Sequence, residues 1–297
     1  MSRSLSVIIP NYNGEELLLR YLPHTIESCE QSKEVSDYEI IIPDDASTDR
    51  SIEILRCEFP EVRVISSESN SGFSKNINRG IRSASKELVL LLNNDMQISS
   101  EMLTTLIPLV GSDVFGVNCA IVSPETNDIQ EGRKLLRKNR HKIHYTDDKG
   151  EYDAVETMYL CGGNALIDRS KLLELDGFDE IYSPFYFEDM DLSLRAWRRG
   201  WKSLYTSRTS CLHQHSATIN ANFSREYVKY VFVRNRVLLN YRFMPCIVPL
   251  VVNTLYHSLL EIIGSKEYKP YSEALRMILG RRQSRMSLSE QIIRELC

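Results

Sequence analysis

The chain has 297 residues, a formal net charge of −4 and ordinary proportions of hydrophobic (42%) and charged (26%) residues. These values are typical of a soluble globular protein with one large domain, or one domain and an extension. The slightly acidic balance lacks the basic field that attracts nucleic acid, so no nucleic-acid partner is expected. The seven cysteines show no CxxC spacing, which argues against a disulfide scaffold or a zinc site and predicts reduced thiols in a cytoplasmic protein.

Strands and helices alternate along the first 92 residues. The first apolar run is too short for a signal peptide and predicts a strand at 5–9. Periodicity predicts further strands at 38–42, 62–66 and 88–92, and helices at 15–30, 48–57 and 76–85. The last strand contains only Leu and Val, which is typical of a parallel strand covered on both faces. The pattern therefore predicts an α/β fold with a mixed, mostly parallel sheet flanked by helices.

The pattern changes near residue 124. Residues 125–157 are polar and predict a loop, in which Arg133–Lys142 holds six Lys and Arg residues. This loop is either a solvated surface segment or a flap that meets an anionic acceptor or the phosphates of a donor. Regular structure is expected again at 158–168, then as helices at 169–175 and 188–199, and as a helical region after residue 225.

The C-terminal part reads as a helical extension, at 241–297, of a domain that covers residues 1–240. The segment Phe243–Leu260 carries no formal charge but is interrupted by prolines, so a buried or membrane-surface helix is expected rather than a membrane span. Residues 266–297 contain seven Lys and Arg against four Glu. This tail suits either an anionic membrane surface or a soluble helix packed on the domain or on a second copy of the chain.

Carboxylates follow two of the predicted strands. Asp44 and Asp45 come directly after one strand, and Asn93, Asn94 and Asp95 follow another. Open α/β sheets bind ligands at the carboxyl ends of their strands. Adjacent carboxylates repel each other and need partners, such as a pyrimidine imide N–H and ribose hydroxyls, unless they only cap the next helix. Asp95 can hold a divalent cation whose other ligands are phosphates and water. Together, the acids after the two strands predict a nucleoside-diphosphate site.

Two loops add polar groups that suit a nucleotide. Pro10, Tyr12 and Asn13 end the first strand, where Tyr12 could stack on a base, although Pro-Asn is also common in plain turns. A Gly- and Asn-rich turn leads into a helix and offers backbone N–H groups and one cation. Its candidate binding residues are Gly72, Phe73, Lys75 and Asn76. Neither GxxxxGK[ST] nor GxGxxG occurs, so a P-loop and a dinucleotide fingerprint are not predicted.

A third acidic group follows three aromatic residues. Glu188, Asp189 and Asp191 stand at the start of a predicted helix, where they suit the helix dipole. A carboxylate beside an aromatic wall is also a good general base for a sugar hydroxyl. Further along the chain, His213 and His215 lie close together, and we expect His213 to be a ligand although a lone histidine is usually structural.

The motifs occur in an order that resembles family 2 glycosyltransferases with the GT-A fold, especially the rhamnosyltransferase-like branch of bacterial surface-polysaccharide biosynthesis. The resemblance extends from residue 5 to about 240 and includes Arg234-Asn235-Arg236. The other motifs that carry it are Ile9-Pro-Asn-Tyr-Asn13, Asp44-Asp-Ala-Ser-Thr-Asp49, Asn70-Ser-Gly-Phe73, Asn93-Asn-Asp95, Cys161-Gly-Gly-Asn164, Gly177-Phe-Asp-Glu180, Phe187-Glu-Asp-Met-Asp-Leu192 and His213-Gln-His-Ser216.

The resemblance implies an inverting transfer of one sugar from a UDP- or dTDP-linked donor to a hydroxyl of a saccharide or lipid-linked acceptor, assisted by Mg²⁺ or Mn²⁺. It implies a donor half at about 1–123 and an acceptor half at about 158–224. In this pattern Asp44 binds the base, Asp95 the metal, Asp189 (beside Glu188) acts as the base catalyst, and His213 contacts metal or diphosphate. The residues expected near the donor sugar or acceptor are Gly162, Gly163, Asn164 and Asp191.

Two departures from the family pattern concern the donor half. Pro43 replaces an aliphatic strand residue, so the second strand is expected to end early, and Asn93 replaces the first Asp of a D-x-D motif, so metal binding is expected to be weaker. Two other functions stay open at this point. A sugar nucleotidylyltransferase would release pyrophosphate from a nucleoside triphosphate, and a non-catalytic scaffold would keep the fold without hydrolysing or transferring a donor sugar.

Overall fold

The computed structural model describes residues 2–137, 142–214, 223–244, 248–262, 269–281 and 285–296. His215 and parts of the basic loop and of the tail lie outside these residues.

Within the described residues the chain forms twelve strands and ten α-helices. The strands are β1 (Arg3–Ile8), β2 (Val35–Asp44), β3 (Arg63–Ser66), β4 (Leu88–Leu92), β5 (Met96–Gln97), β6 (Val114–Val122), β7 (Ile129–Glu131), β8 (Arg133–Arg137), β9 (His144–Asp148), β10 (Val155–Glu156), β11 (Asn164–Asp168) and β12 (Lys202–His213). The helices are α1 (Glu15–Gln31), α2 (Ser51–Glu58), α3 (Phe73–Ser83), α4 (Ser100–Leu106), α5 (Arg169–Glu174), α6 (Glu188–Arg198), α7 (Arg225–Phe243), α8 (Val248–Ile262), α9 (Lys269–Arg281) and α10 (Glu290–Leu296).

One ten-stranded sheet organises the molecule, with the order β10-β12-β6-β11-β4-β1-β2-β3, while β5 pairs with β12 and β7 pairs with β6. The first four strands run parallel, β11 runs antiparallel between β4 and β6, and β12 runs parallel to β6. The predicted mixed, mostly parallel sheet is therefore confirmed. This topology brings the carboxyl ends of five strands to one edge of the sheet, where β11 begins. The five strands are β1, β2, β4, β6 and β12.

The core lies on both faces of this sheet. Leu88, Leu90 and Leu92 of β4 pack into one apolar cluster, and Val89 and Leu91 pack into the other. Successive side chains of a strand point to opposite faces, so the uninterrupted Leu/Val run is the signature of a strand covered twice. Each fully buried side chain of this size stabilises the fold by roughly 1.5–3 kcal/mol relative to exposure.

Two local expectations about the chain are wrong. β2 runs through Pro43 to Asp44 and stays paired with β3 there, where the Ser67 N–H donates to the Asp44 carbonyl. The Pro43 carbonyl accepts hydrogen bonds from the Asn11 N–H and the Asn76 amide on the other side of the strand. The 125–157 segment, expected as a loop, contains β7, β8, β9 and β10. β8 and β9 form a ribbon whose Lys134 is only 3% exposed, so this basic residue is an ion-paired structural group.

The C-terminal helices share the core of the sheet. Val237 and Leu238 of α7, Ala274 of α9 and Leu296 of α10 belong to the same apolar cluster as β4. The predicted boundary at residue 240 falls inside α7. Among the helices that the structure describes, none has the length and apolar character needed to cross a membrane.

Candidate active site

The carboxyl ends of β1, β2 and β4 are joined by a chain of buried polar contacts. The Asn11 amide donates to Asp44 Oδ2 at 2.9 Å, and the Asn94 amide donates to Asn11 Oδ1 at 3.0 Å. Ser47 adds two further donors to Asp44. Sequence reasoning missed Asn11, although its position directly after the first strand is the signal that could have identified it. The arrangement fixes three strand ends relative to one another.

Asp45 organises the glycine-containing turn before α3. Its carboxylate accepts hydrogen bonds from the Ser71 and Gly72 N–H groups at 2.9–3.0 Å. Gly72 has a φ of +86°, and a Cβ on it would lie 3.2 Å from the backbone of Pro184. Only glycine suits both the positive φ and the short distance to Pro184. Through Pro184 this turn contacts the segment that precedes Glu188 and Asp189.

The remaining nucleotide candidates lie in the loop after β1 and in the first turn of α3. Pro10 and Tyr12 are half-buried, and Asn13 and Lys75 are exposed. Asn13 Oδ1 accepts a hydrogen bond from the Thr48 N–H, which ties the β1 loop to the β2 loop. Asn76 differs from the others, because it is buried and its amide donates to the Pro43 carbonyl, a role inside the fold.

Asp95 and His213 meet at the ends of β4 and β12. Asp95 Oδ2 lies 3.2 Å from His213 Nε2, and β5 pairs with β12 at this point. Burial opposes the charged imidazole, but the hydrogen bond and the charge of Asp95, with Glu131, raise the pKa of His213 above its usual value. The two predicted metal ligands are thus brought together by the fold.

The spacing of these two atoms fits a divalent cation. Two neighbouring ligands with bonds of about 2.1 Å at right angles would be roughly 3 Å apart. Carboxylate oxygen suits Mg²⁺ and Mn²⁺, and the imidazole is an additional nitrogen ligand. In the described part of the chain no group of three or more His, Cys, Asp or Glu residues gathers as a metal cluster. A cation here would take its other ligands from a diphosphate and water.

Asp189 and Glu188 begin α6 beside this edge. Burial and the charge of Glu131 raise the pKa of Asp189 to about 6, although the N–H groups of Met190 and Gly162 lower it. Burial and the charge of Asp189 raise the pKa of Glu188 to about 8. Asp189 is therefore largely ionised near pH 7, whereas Glu188 is largely protonated. The two adjacent acids therefore differ in protonation at neutral pH, and the ionised Asp189 is the one suited to act as the base.

The Gly162-Gly163-Asn164 segment lies between the two acidic centres. A Cβ on Gly162 would be 3.6 Å from Asp189 Cβ, and one on Gly163 would be 2.7 Å from the Asn93 amide nitrogen. The Asn93 N–H also donates to the Gly163 carbonyl at 3.0 Å. Asn164 is fully buried and donates to the Cys119 carbonyl, so it supports the segment from the core.

Asp191 occupies an interior ion-pair network. It is fully buried, and its carboxylate contacts Arg195 and Arg242 at 2.7 Å each and accepts a hydrogen bond from Tyr182. A buried carboxylate with this many partners holds elements together and offers nothing to a ligand. The expected contact of Asp191 with a sugar therefore has no support in the geometry, and Asp191 is a structural residue.

Glu131 is an acidic residue of this site that sequence reasoning missed. β7 places it beside Cys161 and Lys134, with the Lys134 ammonium 3.1 Å from Glu131 Oε2. Its charge acts on both Asp189 and His213. The signal was hidden because the surrounding sequence is polar and contains no apolar alternation, so it predicted a loop rather than strands.

Comparison with known proteins agrees with this geometry. Residues 6–176 match the model of glycosyl transferase family 2. An undecaprenyl-phosphate 4-deoxy-4-formamido-L-arabinose transferase of Photorhabdus laumondii is 34% identical over 48% of this chain and 42% of its own length. An N-acetylglucosaminyl-diphospho-decaprenol L-rhamnosyltransferase of Mycobacterium tuberculosis is 24% identical over 72% of this chain and 76% of its own length. The chain thus spans less than half of the first of these relatives.

Solved structures share the fold at low sequence identity. GalNAc-T7 with UDP, GalNAc and Mn²⁺ has a TM-score of 0.67 and 16% identity, covering 96% of this chain and 55% of that one. S. aureus TarS 1-349 with UDP-GlcNAc has a TM-score of 0.58 and 17% identity, covering 94% and 73%. These neighbours are GT-A glycosyltransferases, and the chain has their fold. Since the family match also covers more than half of its residues, the chain belongs to glycosyl transferase family 2.

Proposed function

We propose that the protein moves one sugar from a UDP- or dTDP-linked donor to a hydroxyl of a saccharide or lipid-linked acceptor, with inversion at the anomeric carbon. The observation that carries the proposal is the placement of two different acidic centres at one sheet edge, with Gly162 and Gly163 between them. Asp95 with His213 suits a diphosphate-bound cation, and Asp189 suits a base. Solved neighbours with UDP or UDP-GlcNAc, and relatives named for polyprenyl-linked substrates, support the donor and acceptor classes.

The donor would lie over the ends of β1, β2 and β4. Tyr12 would pack against the base and Asp44 would read its imide, while Asn93 and Asn94 border the diphosphate. Asp95 and His213 would hold a divalent cation, which supplies charge compensation on the departing nucleoside diphosphate. Two solved neighbours that contain Mn²⁺ support a cation of this class.

Asp189 would carry out the proton transfer. Its carboxylate takes the proton of the acceptor hydroxyl as the hydroxyl oxygen forms a bond to the anomeric carbon. The bond from that carbon to the diphosphate oxygen breaks, and its electron pair leaves with the nucleoside diphosphate. Attack from the opposite face inverts the configuration, and a positioned base of this kind contributes about 10²–10⁴-fold to the rate.

The product released from the donor distinguishes this proposal from its two alternatives. With a UDP- or dTDP-sugar, a polyprenyl-linked saccharide acceptor and Mn²⁺, we expect free nucleoside diphosphate in a one-to-one ratio with glycosylated acceptor. Pyrophosphate released from a nucleoside triphosphate would instead indicate a nucleotidylyltransferase. If no donor of either class were consumed with any acceptor, a non-catalytic scaffold would be the better account.

The raised pKa of Asp189 predicts an acid limb in the rate profile. Below about pH 6 Asp189 becomes protonated and cannot accept the hydroxyl proton, so kcat/KM should fall roughly tenfold per pH unit. Above pH 6 the rate should level off, because the base is already ionised. Steady-state rates between pH 4.5 and 8 measure this. A profile that is flat across pH 5–7 would contradict a base with this pKa.

An exposed apolar stripe on α8 suits a membrane surface that carries the acceptor. Val248, Val252, Leu255 and Tyr256 are 47–65% exposed and follow the i, i+4, i+7, i+8 spacing of one helix face. The opposite side packs inward, where the His257 ring stacks on Tyr271 with centroids 4.4 Å apart. An apolar face with an interfacial tyrosine inserts into the headgroup boundary of a bilayer. The stripe supports a membrane contact through α8 as well as through the basic tail, and this contact would be at the cytoplasmic face of the membrane.

Vesicle binding tests this stripe. We expect full-length protein to pellet with phosphatidylglycerol vesicles, and a Val252→Gln, Leu255→Gln variant to lose most of that binding because two apolar anchors are removed. Leu173→Gln, which changes an exposed apolar residue on α5, is the matched control and should pellet as the wild type does. Equal pelleting of all three proteins would remove the membrane assignment. A shift of the double variant from dimer to monomer would assign the stripe to a second copy of the chain.

A further inference from the structure

The turn that immediately precedes Glu188 and Asp189 has a strained backbone. Tyr186 and Phe187, the two residues before Glu188, have φ angles of +74° and +76°. Bulky residues rarely adopt this left-handed region, because the Cβ approaches the following carbonyl. Two such residues in succession persist only where the surroundings hold them, and this kind of strain concentrates at functional sites. Something outside the turn must therefore stabilise it.

Asn235 of α7 supplies that stabilisation. Its side-chain nitrogen lies 2.6 Å from the Tyr182 carbonyl oxygen, 2.9 Å from that of Phe185 and 3.1 Å from that of Tyr186. Asn235 is fully buried, and its own oxygen accepts a hydrogen bond from Arg234 Nε at 2.9 Å. One side chain thus gathers three carbonyls of the segment that precedes the general base. Without it these carbonyls would be buried with fewer donors, which is costly.

Arg234, the residue of α7 before Asn235, contacts the same segment. Arg234 donates to the Ser183 carbonyl at 2.5 Å and pairs with Glu273 of α9 at 3.0 Å. One helix therefore contacts the acidic segment from several positions, and it is anchored in turn by a C-terminal helix. These residues lie beyond 6–176, the part of the chain that the family model matches.

We propose that Asn235 is a positioning residue that holds the strained turn and so fixes Asp189 against Gly162 and the acceptor hydroxyl. The proposal rests on the general-base role proposed above for Asp189. Asn235 does not touch the reacting atoms. It acts by keeping the Asp189 carboxylate in the orientation in which proton transfer is effective, since small displacements of a catalytic group are expensive in rate.

The variant Asn235→Asp tests this most directly. It keeps the size of the side chain but replaces the amide donor with a carboxylate that faces three carbonyl oxygens. We expect kcat to fall by about tenfold or more, while KM for the donor changes little, because a misplaced base weakens the transition state rather than donor binding. The acid limb of the rate profile should also move away from its wild-type position, because the Asp189 carboxylate would lose its fixed burial and its fixed distances to Glu188, Glu131 and Lys134.

Asn240→Ala is the matched control. Asn240 is equally buried on the same helix, but it binds the Ile143 N–H and the Arg236 carbonyl instead of the turn. This variant should keep its kcat within about twofold and its acid limb unchanged. Thermal unfolding with and without UDP reports folding and donor binding for each protein. If Asn235→Asp does not fold, Asn235→Ser, which keeps one donor, takes its place.

These outcomes distinguish a failure of the positioning role of Asn235 from a failure of the proposed glycosyl transfer. A folded Asn235 variant with the wild-type kcat and acid limb would overturn the positioning role, and so would an equal loss in Asn240→Ala. If the wild-type protein itself transfers no sugar, the proposed function fails instead. A loss of kcat that occurs only in the Asn235 variant, with stabilisation by the donor nucleotide intact, supports the positioning role of Asn235.

Discussion

Replacing Asp189 with asparagine is expected to reduce sugar transfer by about 10²–10⁴-fold while leaving donor binding intact. The amide has nearly the same shape but cannot take the hydroxyl proton. Steady-state transfer rates and UDP-dependent thermal shifts measure the two effects separately. The variant should not be less stable at pH 7. An acid whose folded pKa is raised from its usual value to about 6 loses stability as pH rises through that window, and the substitution removes this loss.

Glu188→Gln is the control that distinguishes the two adjacent acids. Because burial and Asp189 raise the pKa of Glu188 to about 8, Glu188 is already largely uncharged at neutral pH, and glutamine imitates that form. We expect only a small change in rate and an acid limb at nearly the same pH, since around pH 6 glutamine replaces a carboxyl group that is already uncharged. Near-normal turnover in Asp189→Asn together with a large loss in Glu188→Gln would reverse the assignment.

Asp95→Ala is expected to lower the transfer rate by about 10²-fold or more and to abolish the metal dependence of nucleotide binding. Charge compensation on a leaving diphosphate is worth several kcal/mol, and each 1.36 kcal/mol is about tenfold in rate. His213 alone cannot replace an anionic oxygen ligand for Mg²⁺ or Mn²⁺. Rates and thermal shifts with UDP, measured across a titration of Mn²⁺, report both effects.

Asp113→Ala provides the comparison for that experiment. Asp113 is exposed and immediately precedes β6, so it lies at the opposite edge of the sheet from Asp95. Its removal changes the net charge of the protein equally without touching the proposed site. The same metal titration in Asp95→Ala as in Asp113→Ala and the wild type would remove Asp95 from the metal site.

The donor half of the fold could be predicted well because its signals are local. The run Leu88–Leu92 coincides with β4, and the acids after β2 and β4 were expected at one sheet edge because parallel strands end together. The meeting of Asp95 with His213 depends on β12 pairing with β6 and β5, over a separation of 118 residues. Only the family resemblance could suggest it.

The acceptor half was less predictable, because its acids look alike in sequence and differ in surroundings. Asp189 and Asp191 stand two residues apart, yet Asp189 is half-buried beside Gly162, whereas Asp191 is fully buried against Arg195 and Arg242. Helical periodicity separates such neighbours by about 200°, but it does not show which face meets the core. The role of Glu131 was hidden for a different reason, since β7 is only three residues long and its sequence carries no strand pattern.

Thermal unfolding with nucleotides tests the central claim most directly. The purified protein would be titrated with UDP, dTDP, GDP and CDP, each with and without Mn²⁺ or Mg²⁺, because a ligand that prefers the native state raises the midpoint. A metal-dependent rise with UDP or dTDP, absent in Asp95→Ala, is the result we predict. No rise with any of the four nucleotides, in the presence of either metal, would contradict a nucleoside-diphosphate site at the ends of β1, β2 and β4.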